Sequence, residues 1–270
     1  MTNATELHAK ESAFHDQWSA SVALEAIRVH QAFEAPTAVE NRFILSQMGS
    51  LVGKRVLDVG AGLGESSVYF ALRGASVTST DLSPGMVDCA VRLGRLHGVQ
   101  ITGVVTPGEE LRVPAASFDI VYIANTIHHV GDKRQLFEEM RKALKPGGRF
   151  FSFDPLAYNP VIEAYRRMAT EVRTEDEAPL TFADVELASE YFTNVQHREF
   201  WIATLALFLK YYLIDRVHPN DDRYWKRIFR ETPQSLRWWM PLLACDNLLT
   251  RLPLMRRLAW NMVMWGEKPA

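Results

Sequence analysis

Residues 55–81, RVLDVGAGLGESSVYFALRGASVTSTD, carry the pattern around which the rest of the chain is arranged. They open on a short apolar run, Val56-Leu57-Asp58-Val59, of the kind a buried parallel strand uses. Gly60, Gly62 and Gly64 follow at alternate positions, then a helix-period segment with Val68, Phe70, Ala71 and Leu72, which Gly74 stops. A β-branched run over 76–80 then ends on Asp81. The pattern is one βαβ unit, with glycines at the first strand-to-helix turn and an acid at the tip of the second strand.

Glycines allow a backbone to approach a ligand closely. A helix starting near Glu65 turns its free N–H groups into the same crevice. Asp81, 17 positions beyond Gly64, stands where a carboxylate accepts both hydroxyls of a ribose. The expected ligand is therefore a nucleoside or nucleotide. A dinucleotide fingerprint reads G-x-G-x-x-G, and Glu65 holds the place of its last glycine. An acid there opposes a pyrophosphate and suits a ligand with positive charge. With Asp58 on the preceding strand, the crevice is acidic at both ends, and S-adenosylmethionine fits it better than NAD.

The run D-V-G-A-G-L-G followed by Asp81 resembles motif I and the post-strand acid of the class I S-adenosylmethionine-dependent methyltransferases. Ser117-Phe118-Asp119-Ile120-Val121 and Leu144-Lys145-Pro146-Gly147-Gly148-Arg149 resemble that family's fourth-strand and pre-fifth-strand motifs. The resemblance covers residues 51–154 and is weak on both flanks. It implies an α/β fold with a Rossmann-like, seven-stranded, doubly wound sheet. It also implies cofactor contacts from Asp58, Gly60, Ala61, Gly62, Gly64 and Asp81, and S-adenosylhomocysteine as product. Two readings of other classes stay open: an NAD-linked oxidoreductase and a catalytically silent, nucleoside-binding module.

With 270 residues, 47% of them hydrophobic, the chain can build one large core, or a core with a cap. A net charge of −2 gives no bulk electrostatic case for nucleic acid. Cys89 and Cys245 are isolated and match no metal or redox spacing, which suits a reducing cytosol. No His/Asp cluster has ligand spacing, so no metal is expected. The polar N-terminus lacks a signal pattern, and a cytoplasmic chain is expected.

Residues 1–50 read as helical, with Phe14 and Trp18 on one face at i, i+4 spacing, a second helix over 20–33 and a third over 38–48. In the resembling family such helices often close over the cofactor, so Phe14 and Trp18 are read either as a lid touching substrate or as packing against the sheet. His15 is read as a surface residue. After Asp81, Ser83 and Pro84 form a helix start, and the family packs the residue after the acid on adenine, which makes Leu82 a wall residue and Met86 a further candidate. Core packing is the competing reading for Met86. The third strand covers 99–105, and the family commonly follows it with an aspartate for the adenine amino group. Here Pro107 stands at that place, which passes the role to Gly108 and Glu109.

The fourth strand ends at Asn125-Thr126-Ile127-His128-His129, and strand ends of this kind bind ligands. Asn125 is placed beside the cofactor, and His128 or His129 is a candidate proton acceptor. The competing reading is structural, with the pair capping the following helix or bonding backbone. Asp154, at the end of the fifth strand, is the second candidate for orienting a substrate or taking its proton. In the stretch 156–180, Tyr158, Arg166 and Arg173 are candidate substrate contacts.

The sixth strand is expected over 191–201 and the seventh over 258–266, with the helical insertion 202–257 between them. That insertion holds ten basic against five acidic residues, so it is +5 and the rest of the chain −7. Basic residues interleaved with Trp and Leu suit a cap over a partly hydrophobic acceptor (a lipid, quinone, polyketide or lipid-linked sugar) or peripheral contact with a membrane. A helical subdomain with its own core is the plainer reading. The domain plan is thus an N-terminal lid over 1–50, a core over 51–201 and 258–270, and a cap over 202–257.

Overall fold

The computed structural model describes residues 4–169, 177–222 and 224–270. Helices α1 (Ala4–Ser21), α2 (Val29–Glu34) and α3 (Val39–Met48) precede the sheet. The expected second helix is interrupted. Ala23 and Ile27 adopt extended backbone, which lets Leu24, Val29 and Phe33 all reach the core.

The βαβ unit follows as β1 (Arg55–Val59), α4 (Glu65–Leu72) and β2 (Ser76–Asp81). Next come α5 (Pro84–Leu96), β3 (Ile101–Val105), β4 (Phe118–Ala124), α6 (Lys133–Ala143) and β5 (Leu144–Pro155). The Pro146-Gly147-Gly148 turn lies inside β5 as an irregularity, because Leu144 pairs with Phe118 and Arg149 with Ile120. The chain continues through α7 (Pro160–Met168), α8 (Phe182–Ser189), β6 (Thr193–Phe200), α9 (Ala206–Leu209), α10 (Tyr224–Leu249) and β7 (Asn261–Glu267).

These strands form one seven-stranded sheet in the order β3-β2-β1-β4-β5-β7-β6. The five strands β1–β5 pair in parallel, and β7 runs antiparallel to β5 and β6. From β1 the chain winds outward to β3, then returns to the other side of β1 as β4. That reversal opens a crevice at the carboxyl ends of β1 and β4, where sheets of this type bind ligands.

Alternation along β1 supplies both faces of the sheet. Val56 joins the apolar layer under α4 and α5, and Leu57 joins the layer under α6 and α8. The segment between β6 and β7 packs into the first of these layers: Trp201, Phe208, Tyr224 and Trp239 share it with Phe33 and Tyr122. Trp239 is fully buried, its ring 4.8 Å from that of Trp201, and its indole donates to the Pro36 carbonyl at 3.2 Å. Buried Asp246 accepts the Ile202 N–H at 3.1 Å and the Thr204 hydroxyl at 2.5 Å, tying α10 to the exit of β6.

Candidate active site

A cavity of about 450 Å³ lies at the carboxyl ends of the strands, with α1 over one end and α7 and α10 at the other. Gly60, Ala61, Gly62 and Leu63 line it from the turn after β1. Gly62 has φ +54°, and a Cβ there would meet nothing within 4 Å, so ligand and backbone can close on each other at this point. Asp81 Oδ2 accepts the Gly62 N–H at 2.9 Å and its Oδ1 the Ser83 N–H at 2.9 Å. The carboxylate is pinned between two turns with lone pairs left for a ligand. Burial raises its pKa, and those two N–H groups oppose the rise. Leu82, Gly108 and Glu109 line the same end, and Glu109 stands 3.6 Å from His8 of α1.

α1 reaches this end because Asp16 fastens it there. One Asp16 oxygen accepts the Ser83 hydroxyl at 2.5 Å and the Gly85 N–H at 2.9 Å. Phe14, His15 and Trp18 then line the cavity. His15, expected at the surface, faces inward because Glu11 draws it: buried Glu11 lies 3.4 Å from His15 Nε2 and 3.4 Å from His129 Nδ1.

The turn after β4 brings Asn125, His128 and His129 to the cavity. His128 Nδ1 is 2.7 Å from Asp154 Oδ1, and the His128 backbone N–H donates to the same oxygen at 3.2 Å. Asp154 is fully buried, so it meets the cavity only through His128. Burial lifts the Asp154 carboxyl to about 7 and pushes the His128 imidazole well below its ordinary value. His128 is therefore uncharged at neutral pH, with Nδ1 committed to Asp154 and Nε2 left as its second polar atom. Arg166 of α7 also lines the cavity, half of an ion pair with Glu177 at 2.8 Å.

Ligand atoms of His128, His129 and Glu177 lie within 4.8 Å of one another. No spacing signals this, since Glu177 is 48 residues beyond His129. The Arg166 guanidinium on Glu177 sets a positive charge against the group, which opposes a cation there.

At the far end stand Glu40 and Asn41 of α3, with Trp201, Trp225, Ile228, Trp260 and Asn261. Glu40 Oε1 accepts from Asn261 Nδ2 at 2.6 Å, and Asn41 Oδ1 accepts from the Tyr122 hydroxyl at 2.7 Å. None of these polar residues is marked in the sequence: Glu40 and Asn261 are 221 positions apart.

The glycine turn, the pinned Asp81 and the strand-end histidines stand within one sequence block, residues 57–152, which matches the methyltransferase domain family. Residues 57–152 carry a methyltransferase domain. Over 117 residues it is 36% identical to the ubiquinone biosynthesis O-methyltransferase of Idiomarina loihiensis, which is 40% of this chain and 45% of that one. Over 155 residues it is 35% identical to the protein of the same name from Xanthomonas euvesicatoria, 53% of this chain and 63% of that one. The chain thus spans about half the length of these curated relatives. Among solved structures, Haemonchus contortus phosphoethanolamine N-methyltransferase 2, in complex with phosphomonomethylethanolamine and S-adenosylhomocysteine, superposes with a TM-score of 0.61 at 21% identity. That match covers 96% of this chain and 60% of the other, and shows a shared fold.

Within and beside the methyltransferase domain, several expected site residues take other places. Asp58 is buried behind the glycine turn and accepts the Ser66 and Ser67 hydroxyls at 2.5 and 2.6 Å. It anchors the first turn of α4, and burial raises it to about 6. Gly64 has φ +90°, and a Cβ there would sit 2.5 Å from Ala90 of α5, so it serves close helix packing. Met86 is fully buried in the core. Tyr158 stands outside the cavity, stacked on Phe182 at 5.8 Å with Arg257 over its ring. Arg173 lies outside the described residues.

Proposed function

We propose that the chain binds S-adenosylmethionine at the turn 60–64 and Asp81, and transfers its methyl group to a nucleophile of a small, partly hydrophobic acceptor. The observation that carries this reading is the Asp81 carboxylate, held by two backbone N–H groups beside an open glycine turn, inside a methyltransferase domain. When bound, S-adenosylmethionine supplies a methyl group on a sulfonium that leaves as the thioether of S-adenosylhomocysteine. Glu65, Asp81 and Glu109 suit its net positive charge. Gly108 and Glu109 stand in for the adenine-binding acid that Pro107 displaces.

His128 is the proton acceptor for the nucleophile, kept uncharged by burial and oriented by Asp154, with His129 and Glu11 beside it. Phe14 and Trp18 cover the nucleoside end and exclude water. Trp225, Ile228 and Trp260 give the acceptor's body apolar walls. The names of the curated relatives support an oxygen nucleophile.

The segment between β6 and β7 supports peripheral contact with an anionic membrane. Positions 238, 241, 245, 248 and 252 recur at helical spacing and are all exposed, and they are Trp, Pro, Cys, Leu and Leu. Trp238 is 70% exposed, Ile214 72% and Leu254 81%. Arg216, Arg237, Arg251 and Arg257 are exposed among them. No helix among the described residues is long and apolar enough to cross a membrane, so the contact is with the lipid surface.

The test is S-adenosylhomocysteine release, followed by mass spectrometry, with a panel of phenols, quinols and amines, with and without phosphatidylglycerol vesicles. Release with at least one acceptor is expected, faster with vesicles. NAD-dependent turnover without any S-adenosylmethionine binding contradicts the reading.

A further inference from the structure

The lining of the cavity is strongly unbalanced in charge. Among the described residues it holds six carboxylates, Glu11, Glu40, Glu65, Asp81, Glu109 and Glu177, and one guanidinium, Arg166. Glu65, Asp81 and Glu109 stand at the nucleoside end, facing the cofactor. Glu177 has its ion pair with Arg166, and Glu11 has two histidines.

Glu40 is different. It is only 6% exposed, and the donor side chains turned to it are neutral, the Asn261 amide at 2.6 Å and the Trp201 indole. The Trp201 indole leans toward it and favours the charged form, but burial dominates and raises the carboxyl to about 7. A buried carboxyl with no cation beside it is costly to ionise and holds its proton until a positive partner arrives, and groups of this kind cluster at ligand sites.

The second observation comes from Asn261. It is 5% exposed, it lines the cavity, and its Oδ1 is buried with no hydrogen-bond partner. Its Nδ2 is already given to Glu40. One wall of the cavity therefore presents a carboxylate and an amide oxygen, both acceptors, among the rings of Trp201, Trp225 and Trp260. Acceptors need donors, and aromatic faces attract cations.

We infer that Glu40 and Asn261 form an acceptor subsite that binds a protonated amine, so that the acceptor is an amine-bearing, partly apolar molecule and not a phosphorylated or carboxylated one. This rests on the methyltransferase reading, because it places the amine in the cavity shared with S-adenosylmethionine. The amine is the recognition group, donating to Glu40 and to Asn261 Oδ1 with its stem between the indoles. An anionic acceptor would meet the same carboxylates at close range with Arg166 already engaged, and like charges in a low-dielectric cavity repel.

The experiment uses three probes of one shape, phenethylamine, 2-phenylethanol and phenylacetate, titrated by ligand-observed NMR into the full chain saturated with S-adenosylhomocysteine. Saturation by S-adenosylhomocysteine is measured first, and its failure counts against the methyltransferase reading alone. The expected result is phenethylamine binding at least ~10-fold tighter than 2-phenylethanol, about one charge-assisted hydrogen bond, with no binding of phenylacetate. Glu40→Gln and, separately, Asn261→Leu are expected to reduce phenethylamine binding to the level of the alcohol while S-adenosylhomocysteine affinity stays unchanged. Phenylacetate binding as well as the amine, no binding of the amine at millimolar concentration, or amine binding indifferent to both substitutions overturns the inference.

Discussion

At the end of the cavity proposed for the nucleoside the walls come chiefly from turns that follow β1, β2 and β3, all within residues 60–109. The opposite end draws Glu40, Trp201, Trp225 and Asn261 from four segments that meet only in the folded chain. The first end is a local motif, and its parts have fixed spacing because one βαβ unit positions them. The second is a convergence of long-range contacts, free to change with each acceptor. The contrast explains why the methyltransferase domain is recognisable over 57–152 while the acceptor is not.

The two adjacent tryptophans of α10 sharpen this contrast most. Trp239→Ala removes a fully buried ring joined to Trp201 and Pro36. A loss of about 3–5 kcal/mol is expected in urea unfolding. Trp238, 70% exposed, should change stability by less than about 0.5 kcal/mol when cut to Ala, yet reduce co-sedimentation with phosphatidylglycerol vesicles. Equal stability losses for the two would break the account of the insertion as part of the main core.

Between the two ends stands the His128–Asp154 pair. Asp154→Asn is expected to lower kcat about 100-fold, within the usual range for losing an oriented proton acceptor, without weakening S-adenosylhomocysteine binding. An unchanged kcat with an active acceptor would reduce the pair to a structural role.

A smaller effect comes from Glu40. Its folded pKa of about 7 lies above the ordinary value of 4.5. Between those values the folded chain keeps a proton that the unfolded chain has released, so stability falls as pH rises across that window. Glu40→Gln is neutral at every pH and removes this slope. Its Tm should exceed the wild-type Tm by a few degrees at pH 8 and by much less at pH 5. A gain independent of pH would mean that Glu40 is not protonated on folding.

The βαβ unit, the sheet and the cofactor corner were legible because glycine spacing, strand patterning and a terminal acid are all local. Gly62 and Asp81 both line the cavity, joined by a hydrogen bond that the motif spacing makes possible. Gly64 and Asp58 were found through the same motif, but their work is packing and anchoring, which spacing alone does not separate from ligand contact. Met86 followed a helix start into the core. Glu11, Asp16, Glu40 and Asn261 are invisible in the sequence because each gains meaning only from a partner brought near by folding. The inward turn of His15 has the same cause, since Glu11 makes the difference.

The most direct measurement is calorimetric titration of S-adenosylhomocysteine into the wild-type chain, Asp81→Ala and Glu40→Gln. Tight one-to-one binding is predicted for wild type. Asp81→Ala should lose at least ~100-fold, since two hydrogen bonds to a charged acceptor disappear. Glu40→Gln should bind as wild type does, because it belongs to the other end. Failure of the wild-type chain to bind, or full retention in Asp81→Ala, would contradict the assignment of the nucleoside corner and with it the methyltransferase reading.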